Sequence, residues 1–123
     1  MVISPRFLRK DTIIVKNYIG EVDGEAQYNE TAVSQVHVNS SYGITLSNRG
    51  IHSEDSMLIT FDLHDYKSRN EFAFPHKYEN RTDKFTFRPD DFVVFDDEEF
   101  RITSVRNIHP ANNAPYLIEV RCQ

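Results

Sequence analysis

The chain has 123 residues, of which 39% are hydrophobic and 27% charged, and it carries 14 Lys and Arg against 19 Asp and Glu. This length fits one domain with its own core, and the net charge of -5 weighs against nonspecific attraction to nucleic-acid phosphates. The one cysteine, Cys122, cannot form an internal bridge, and the first twelve residues lack the apolar stretch of a signal peptide or membrane helix. We therefore expect a single domain over residues 1–123, made in a reducing compartment and without membrane contact.

Apolar residues in the N-terminal part alternate as they do in strands. Thr12–Ile19 is rich in β-branched side chains and ends at Gly20, which predicts a first strand. Gly20–Glu25 is typical of a turn, and Gln27–Val38 predicts a second, long strand. The predicted buried face of this second strand consists of Tyr28, Ala32, Ser34, Val36 and Val38.

Two polar segments interrupt the strand pattern in the middle of the chain. Residues 39–55 predict a long loop or flap, with weak strand character only at Tyr42–Leu46. Residues 64–83 predict a second long loop or a weak edge strand, because charged side chains dominate and Pro75 interrupts the short apolar run. Between them lies a predicted half-buried strand with the alternating residues Met57, Ile59, Phe61 and Leu63.

The C-terminal third has the most regular pattern. Phe85 and Phe87 share one face, and Asp96–Glu99 separates two apolar runs, which predicts a hairpin with an acidic tip. Pro110 and Pro115 mark a loop before the last strand, in which Tyr116, Ile118, Val120 and Cys122 alternate with other residues.

These patterns together predict an all-β fold. About seven short strands joined by turns favour a small antiparallel β-barrel or sandwich with two long loops. A short helix inside Ser53–Met57 or His64–Glu71 stays open as an alternative.

The histidines are the first candidates for a site. They are His37, His52, His64, His76 and His109. Three of them follow at intervals of twelve, and imidazoles beside Asp62 or Asp65 would suit zinc or iron. Most of the five fall in or beside predicted loops and none forms an HxH or HExxH motif, so solvated side chains are the stronger interpretation.

Paired carboxylates are the second candidates, at Asp90, Asp91, Asp96, Asp97, Glu98 and Glu99. They would suit a glycosidase or a nuclease, but a catalytic dyad needs one carboxyl in an apolar pocket, whereas turn carboxylates are solvated. No GxSxG, Walker A or GxGxxG motif is present, and Cys122 lies in a predicted strand. We therefore expect no enzyme, no catalytic or metal-binding residues and no cofactor.

The segment from Phe72 to Arg88 mixes aromatic and basic residues, namely Phe74, Lys77, Tyr78, Arg81, Lys84, Phe85 and Arg88. Such interleaving would suit a β-barrel that binds single-stranded nucleic acid. A simpler interpretation places Phe85 and Phe87 in the core and leaves the bases as a solvated rim. The overall acidity makes nucleic-acid binding the second hypothesis.

Two stretches resemble one class of proteins. IIVKNYIGEVDGEAQYNETAVSQVHV, residues 13–38, resembles the opening of minor capsid proteins encoded in the head and tail morphogenesis region of tailed bacteriophages and prophages. DFVVFDDEEFRITSVRNIHPANNAPYLIEVRC, residues 91–122, is similar to the ending of phage head-completion proteins. Residues 39–88 match neither pattern.

The resemblance implies a virion structural protein at the head–tail interface, a connector, adaptor or stopper with a β-barrel fold. It implies a ring of identical subunits below the portal that contacts portal or adaptor and tail proteins, while genomic DNA passes through without specific binding. The protein would be made in the bacterial host cytoplasm and then reside in the virion. We expect the two long loops, 39–55 and 64–83, to supply contacts between subunits or to close the channel.

Overall fold

The computed structural model describes residues 10–39, 44–47, 50–53, 57–108 and 117–123, and of residues 44–47 and 50–53 it describes only the backbone. The elements are β1 (Asp11–Val22), β2 (Glu25–Asn39), β3 (Ile44–Ser47), β4 (Gly50–Ser53), β5 (Met57–Asp62), β6 (Lys67–Ser68), β7 (Glu71–Phe72), α1 (Pro75–Tyr78), β8 (Lys84–Phe85), β9 (Phe92–Phe95), β10 (Glu98–Ile108) and β11 (Leu117–Cys122).

Six of these strands close into an antiparallel barrel. Their order is β1-β9-β10-β11-β5-β2, and β2 pairs back with β1. The short strand β6 adds to β2 beside the ring as a seventh strand. This arrangement confirms the all-β fold with about seven main strands, and the closure pairs strand edges that an open sheet would leave exposed.

Two tight turns position the ends of the barrel hairpins. Asp23 and Gly24 join β1 to β2 with φ angles of 53° and 81°, and Asp96 and Asp97 join β9 to β10 with φ angles of 54° and 64°. Two successive residues with positive φ are typical of the turns that suit the right-handed twist of a hairpin. The turn or wide loop predicted over Gly20–Glu25 is confirmed as a turn at Asp23–Gly24 alone, because β1 continues to Val22. The predicted acidic hairpin tip is confirmed at Asp96–Asp97.

The core lies inside the barrel, on the inward residues of its strands. Met57, Ile59 and Phe61 of β5 are fully buried, as their alternation predicted. The Phe61 ring lies between 4.8 and 6.0 Å, centroid to centroid, from four other rings, those of Tyr66, Phe72, Phe85 and Phe87. Aromatic pairs at such distances add to the stabilisation from burial, so this cluster is the densest part of the core.

The predicted buried face of the second strand is wrong over its first half. The buried residues there are Asn29, Thr31 and Val33. Ala32 is exposed and Tyr28 half-buried, because both point outward. At Gln35, where φ is 65°, the register with β1 shifts by one residue. Such a bulge changes which alternate residues face inward, so Val36 is buried as predicted although Val33 is buried too.

Residues 64–83, predicted as a second long loop or a weak edge strand, are folded onto the barrel, and β6 confirms the edge strand over Lys67–Ser68. The segment contains β6, β7 and α1, and β7 pairs in parallel with β8. Tyr78 at the end of α1 is fully buried. The sequence pattern did not predict this packing, because the spacing of Phe72 and Tyr78 matches neither the strand nor the helix period, although both side chains are buried. We name residues 64–91 the insert, because they lie between β5 and β9 in the chain.

The short helix lies at Pro75–Tyr78, outside both segments in which a helix was the alternative. Pro75 suits the first helical turn, where its missing N–H is not needed. No helix in the described part of the chain is both long and apolar enough to span a membrane.

In the predicted loop or flap, residues 44–47 and 50–53 pair as the antiparallel hairpin β3–β4. The weak strand character predicted at Tyr42–Leu46 is confirmed over residues 44–46, while the second strand was not predicted. Tyr42, Pro110, Pro115 and Tyr116 lie outside the described residues.

The Asp96–Asp97 turn gives a first testable prediction. Asp97 is exposed and holds a left-handed backbone, which costs a residue with a Cβ more than it costs glycine. We expect Asp97→Gly to raise the free energy of unfolding by about 0.5 kcal/mol. Urea denaturation measures this, with Gly24→Ala in the other turn as the matched reverse change, which should lower stability. An unchanged or lowered stability of Asp97→Gly would contradict the prediction.

Candidate functional site

The candidate histidines do not converge in the described part of the molecule. His37 lies in β2, His64 in the turn after β5 and His76 in α1, where its ring stacks 6.1 Å from that of Phe74. The side chain of His52 and all of His109 lie outside the description. Among the described residues, no group of three or more His, Cys, Asp or Glu side chains lies close enough to hold a metal ion.

The carboxylates of the acidic tip are exposed, as the sequence predicted. Asp96, Asp97 and Glu98 are exposed, and Glu99 accepts a hydrogen bond from Lys16 Nζ at 2.8 Å. This bond to Glu99 is the main reason why the pKa of Lys16 is raised. The tip is therefore a solvated turn tied to β1 by one ion pair.

Asp91 differs from these carboxylates, because its side chain is buried and both of its oxygens accept hydrogen bonds. Oδ2 accepts hydrogen bonds from Asn17 Nδ2 at 3.0 Å and from Arg88 Nε at 2.7 Å. Oδ1 accepts a third from the backbone N–H of Tyr18 at 3.2 Å. Three donors satisfy a buried carboxylate, so Asp91 anchors the end of the insert to β1.

Two asparagines on the inner face of β1 and β2 hold the insert. Asn17 donates to the carbonyl of Thr86 at 2.7 Å and accepts from the Thr86 N–H at 3.1 Å, as a neighbouring strand would. Asn29, directly opposite on β2, donates to the carbonyl of Lys84 at 2.8 Å and lies 3.1 Å from Tyr78 Oη. These amides satisfy backbone groups that burial would otherwise leave without partners.

Arg88 closes the insert against the hairpin of β1 and β2. Its guanidinium carbon lies 5.2 Å from the centre of the Tyr78 ring, and its Nη2 donates to the carbonyl of Tyr18. Burial raises the pKa of the Tyr78 hydroxyl, while the bond to Asn29 acts in the opposite direction. Arg88 therefore links the insert to β1.

The segment that suggested nucleic-acid binding does not present its rings. Phe72, Phe85 and Phe87 are buried in the aromatic cluster. The bases of the segment meet acids of the same chain: Lys84 pairs with Glu71 at 3.0 Å, and Arg81 binds both carboxylate oxygens of Asp83 at 2.7 and 2.9 Å. The Arg81 hydrogen bond lowers the pKa of Asp83. The core position of Phe85 and Phe87 is confirmed, but the rim of bases is not fully solvated, because Lys84 and Arg88 are half-buried.

The exposed ring of Tyr18 and the half-buried rings of Tyr28 and Phe92 lie instead on the outer face of the barrel. Tyr28 is edge-on to Tyr18 at 5.9 Å and to Phe92 at 5.8 Å, between ring centres, and Lys16 Nζ lies 5.1 Å from its centre. Ile14 on the same face is 37% exposed and Tyr18 39%. We call Ile14, Tyr18, Tyr28 and Phe92 the outer aromatic face.

Two clefts flank this face. One, of about 390 Å³, lies between Ile14, Ala32 and Arg69, and the other, of about 500 Å³, lies beside Tyr18 and Tyr28. Desolvation, with a further contribution from Glu21, raises the pKa of Tyr18. An exposed apolar surface with adjacent clefts is typical of a binding surface, so this face is the candidate site.

Sequence reasoning missed the outer aromatic face. Tyr28 lies an even number of residues before Val36 and Val38, so strict alternation along the strand predicts it on the same, inward face. The polar residues Asn17 and Asn29, each beside a tyrosine, were the one available signal, since two inward amides imply outward rings.

Residues 7–120 match the family described as "Family of unknown function (DUF6751)". The chain belongs to this family. The match spans the barrel, the insert and the outer aromatic face of this DUF6751 member. No curated protein and no solved structure matches the chain.

The amide of Asn17 gives a second prediction. Asn17→Ala leaves the buried N–H and carbonyl of Thr86 without their partners, and we expect it to lower the free energy of unfolding by about 3 kcal/mol. Thr86→Val is the matched control, because Thr86 Oγ1 is buried with no hydrogen-bond partner among the described residues. Chemical denaturation compares the two, and hydrogen exchange at Thr86 reports the local effect. Equal losses in both variants would contradict the anchoring role.

Tyr78 gives a prediction on pH dependence. Its pKa is raised above the ordinary value of 10.0, so its contribution to stability is complete below pH 10 and is lost as the pH rises through the folded-state pKa. Tyr78→Phe loses the Asn29 bond, which costs about 1 kcal/mol at pH 7. We expect the stability gap between wild type and variant to shrink above pH 10. A gap that stays constant from pH 8 to 11 in denaturation experiments would contradict this.

Proposed function

We propose that this DUF6751 member is a virion structural protein of a tailed phage or prophage, which forms a ring below the portal, completes or closes the head and docks the tail. In this proposal it is made in the host cytoplasm, works as a non-enzymatic connector and contacts portal or adaptor and tail proteins. The observation that carries the proposal is the outer aromatic face, where Ile14 and Tyr18 stay exposed on a barrel whose own core is complete.

The barrel supplies what a ring subunit needs. Closure satisfies the main-chain bonds of its strands, so subunits meet through side chains on a rigid surface. A rigid surface loses little conformational entropy on association. The resemblance of residues 13–38 to minor capsid proteins covers β1 and most of β2, the two strands that carry most of the outer aromatic face.

The charge distribution supports passage of DNA without tight binding. Lys16, Lys84, Arg81 and Arg88 each pair with a carboxylate of the same chain. Paired bases offer phosphates less positive potential, and the net charge of -5 repels them further. The alternative function, binding of single-stranded nucleic acid, has less support because the rings of its segment are buried.

Assembly tests the proposal. We expect the protein to form rings, alone at high concentration or on purified portal, in sedimentation and electron microscopy. Ile14→Lys places a charge on the outer aromatic face and should shift assembly to at least about tenfold higher concentration, because a buried unpaired charge opposes association. Asn107→Lys, at an exposed position of β10 outside both the outer aromatic face and residues 64–83, is the matched control and should assemble like wild type.

Oligonucleotide binding separates the two functions. The connector should leave a labelled single strand unshifted at low salt. A shift that disappears steeply with salt, together with a protein that stays monomeric on portal, would favour the alternative function and contradict the proposal.

A further inference from the structure

The larger cleft beside the outer aromatic face has a defined chemistry. It measures about 500 Å³, within the range of ligand sites, and Tyr18, Tyr28 and Pro89 form its apolar walls. Glu21 and Asp90 lie at its rim. The Asp91 carboxylate and the Arg88 guanidinium also line it, but they are bonded to each other and balance in charge.

The rim therefore attracts cations. The Asp90 side chain is 83% exposed and lies 3.5 Å from Arg101, a distance at which an exposed pair contributes little. Desolvation is the main reason why the pKa of the Tyr18 hydroxyl is raised, and the nearby Glu21 carboxylate raises it further. Tyrosine rings next to carboxylates suit a segment that carries both apolar side chains and Arg or Lys, since cations are attracted to ring faces as well.

The chain itself contains one such segment. Residues 1–10 carry three of the 14 bases and none of the 19 acids, so the other 113 residues hold 11 bases and all 19 acids. The bases are Arg6, Arg9 and Lys10, and Phe7 and Leu8 lie between them. The charge and apolar content of this segment complement the cleft.

The same chain cannot bring these bases to its own cleft. Strand β1 begins at Asp11, and Glu21 lies ten residues along it, about 33 Å away at the usual rise of a strand. Arg6 is five residues before Asp11, so its Cα reaches at most about 18 Å from that point. A second copy of the chain is therefore the source of the segment.

We propose that residues 6–10 of one copy bind in the cleft of the next copy, with Phe7 and Leu8 against Tyr18 and Tyr28. Arg6 and Arg9 then meet Glu21 and Asp90. Because donor segment and cleft lie at opposite ends of β1, the contact is head-to-tail and repeats around a ring. In this respect the inference rests on the proposed function, while the binding itself is testable without any ring.

One competing arrangement lies within the chain. Val94 pairs with Ile14, which places the acidic turn after β9 at the same end of β1 as Lys10. The bases would then meet Asp96 and Glu98 of their own chain. The two arrangements predict different sensitive carboxylates.

The experiment uses a labelled synthetic peptide of residues 1–10 and the full-length chain, diluted to a monomer. We expect saturable binding that weakens with salt, and no binding of a control peptide with Glu at all three basic positions. The variant Glu21→Lys with Asp90→Asn should bind about tenfold more weakly, since each contact loses its charge complement. Asn tolerates the left-handed backbone that Asp90 holds at φ 73°, so the fold is kept.

The matched control is Glu98→Lys with Asp96→Asn, which makes the same change of charge at the acidic turn. It should bind the peptide like wild type. Loss of binding in this variant rather than in the cleft variant, equal binding of the control peptide, or no binding at all would overturn the inference. Rings that form normally in the cleft variant would overturn the inference and leave the proposed function standing. Peptide binding without ring assembly would contradict the proposed function and leave the inference standing.

Discussion

The two hydrogen bonds between the Asn17 side chain and the backbone of Thr86 join the two parts of this molecule. β1 turns the polar residue Asn17 toward the inside of the barrel, where it is fully buried. Thr86 is fully buried too, and its N–H and carbonyl have the Asn17 amide as their partner. Each side satisfies the other, and loss of one partner while the other stays buried would leave polar groups unpaired at a cost of several kcal/mol. Barrel and insert are therefore mutually dependent.

This dependence extends along the inner face of the hairpin. Asn29 binds the carbonyl of Lys84, and Asn70 of the insert donates to Thr31 at 2.8 Å. The polar inward side chains of Asn17, Asn29 and Thr31 thus all form hydrogen bonds with the insert. The insert also contributes Phe72 and Phe85, whose rings pack against Phe61 in the aromatic cluster.

The inward amides also determine what the molecule shows to partners. Side chains alternate along a strand, so with Asn17 and Asn29 inside, Tyr18 and Tyr28 must lie outside. The bases near these rings are engaged within the chain, Lys16 by Glu99 and Arg88 by Asp91. In the proposed function, this face of rings, with its own bases neutralised, contacts apolar and cationic partners rather than phosphates.

The sequence by itself determined the all-β class, the inward residues of β5, the turns at Gly24 and Asp96–Asp97 and the last strand, because each depends on local alternation or turn chemistry. Only the tertiary structure decided the insert, whose anchors join residues about 50 to 75 positions apart in the chain and leave no local period. It also decided the face of β2, since the bulge at Gln35 depends on the register with β1. The position of the candidate site follows from that register, which no pattern within a single strand can contain.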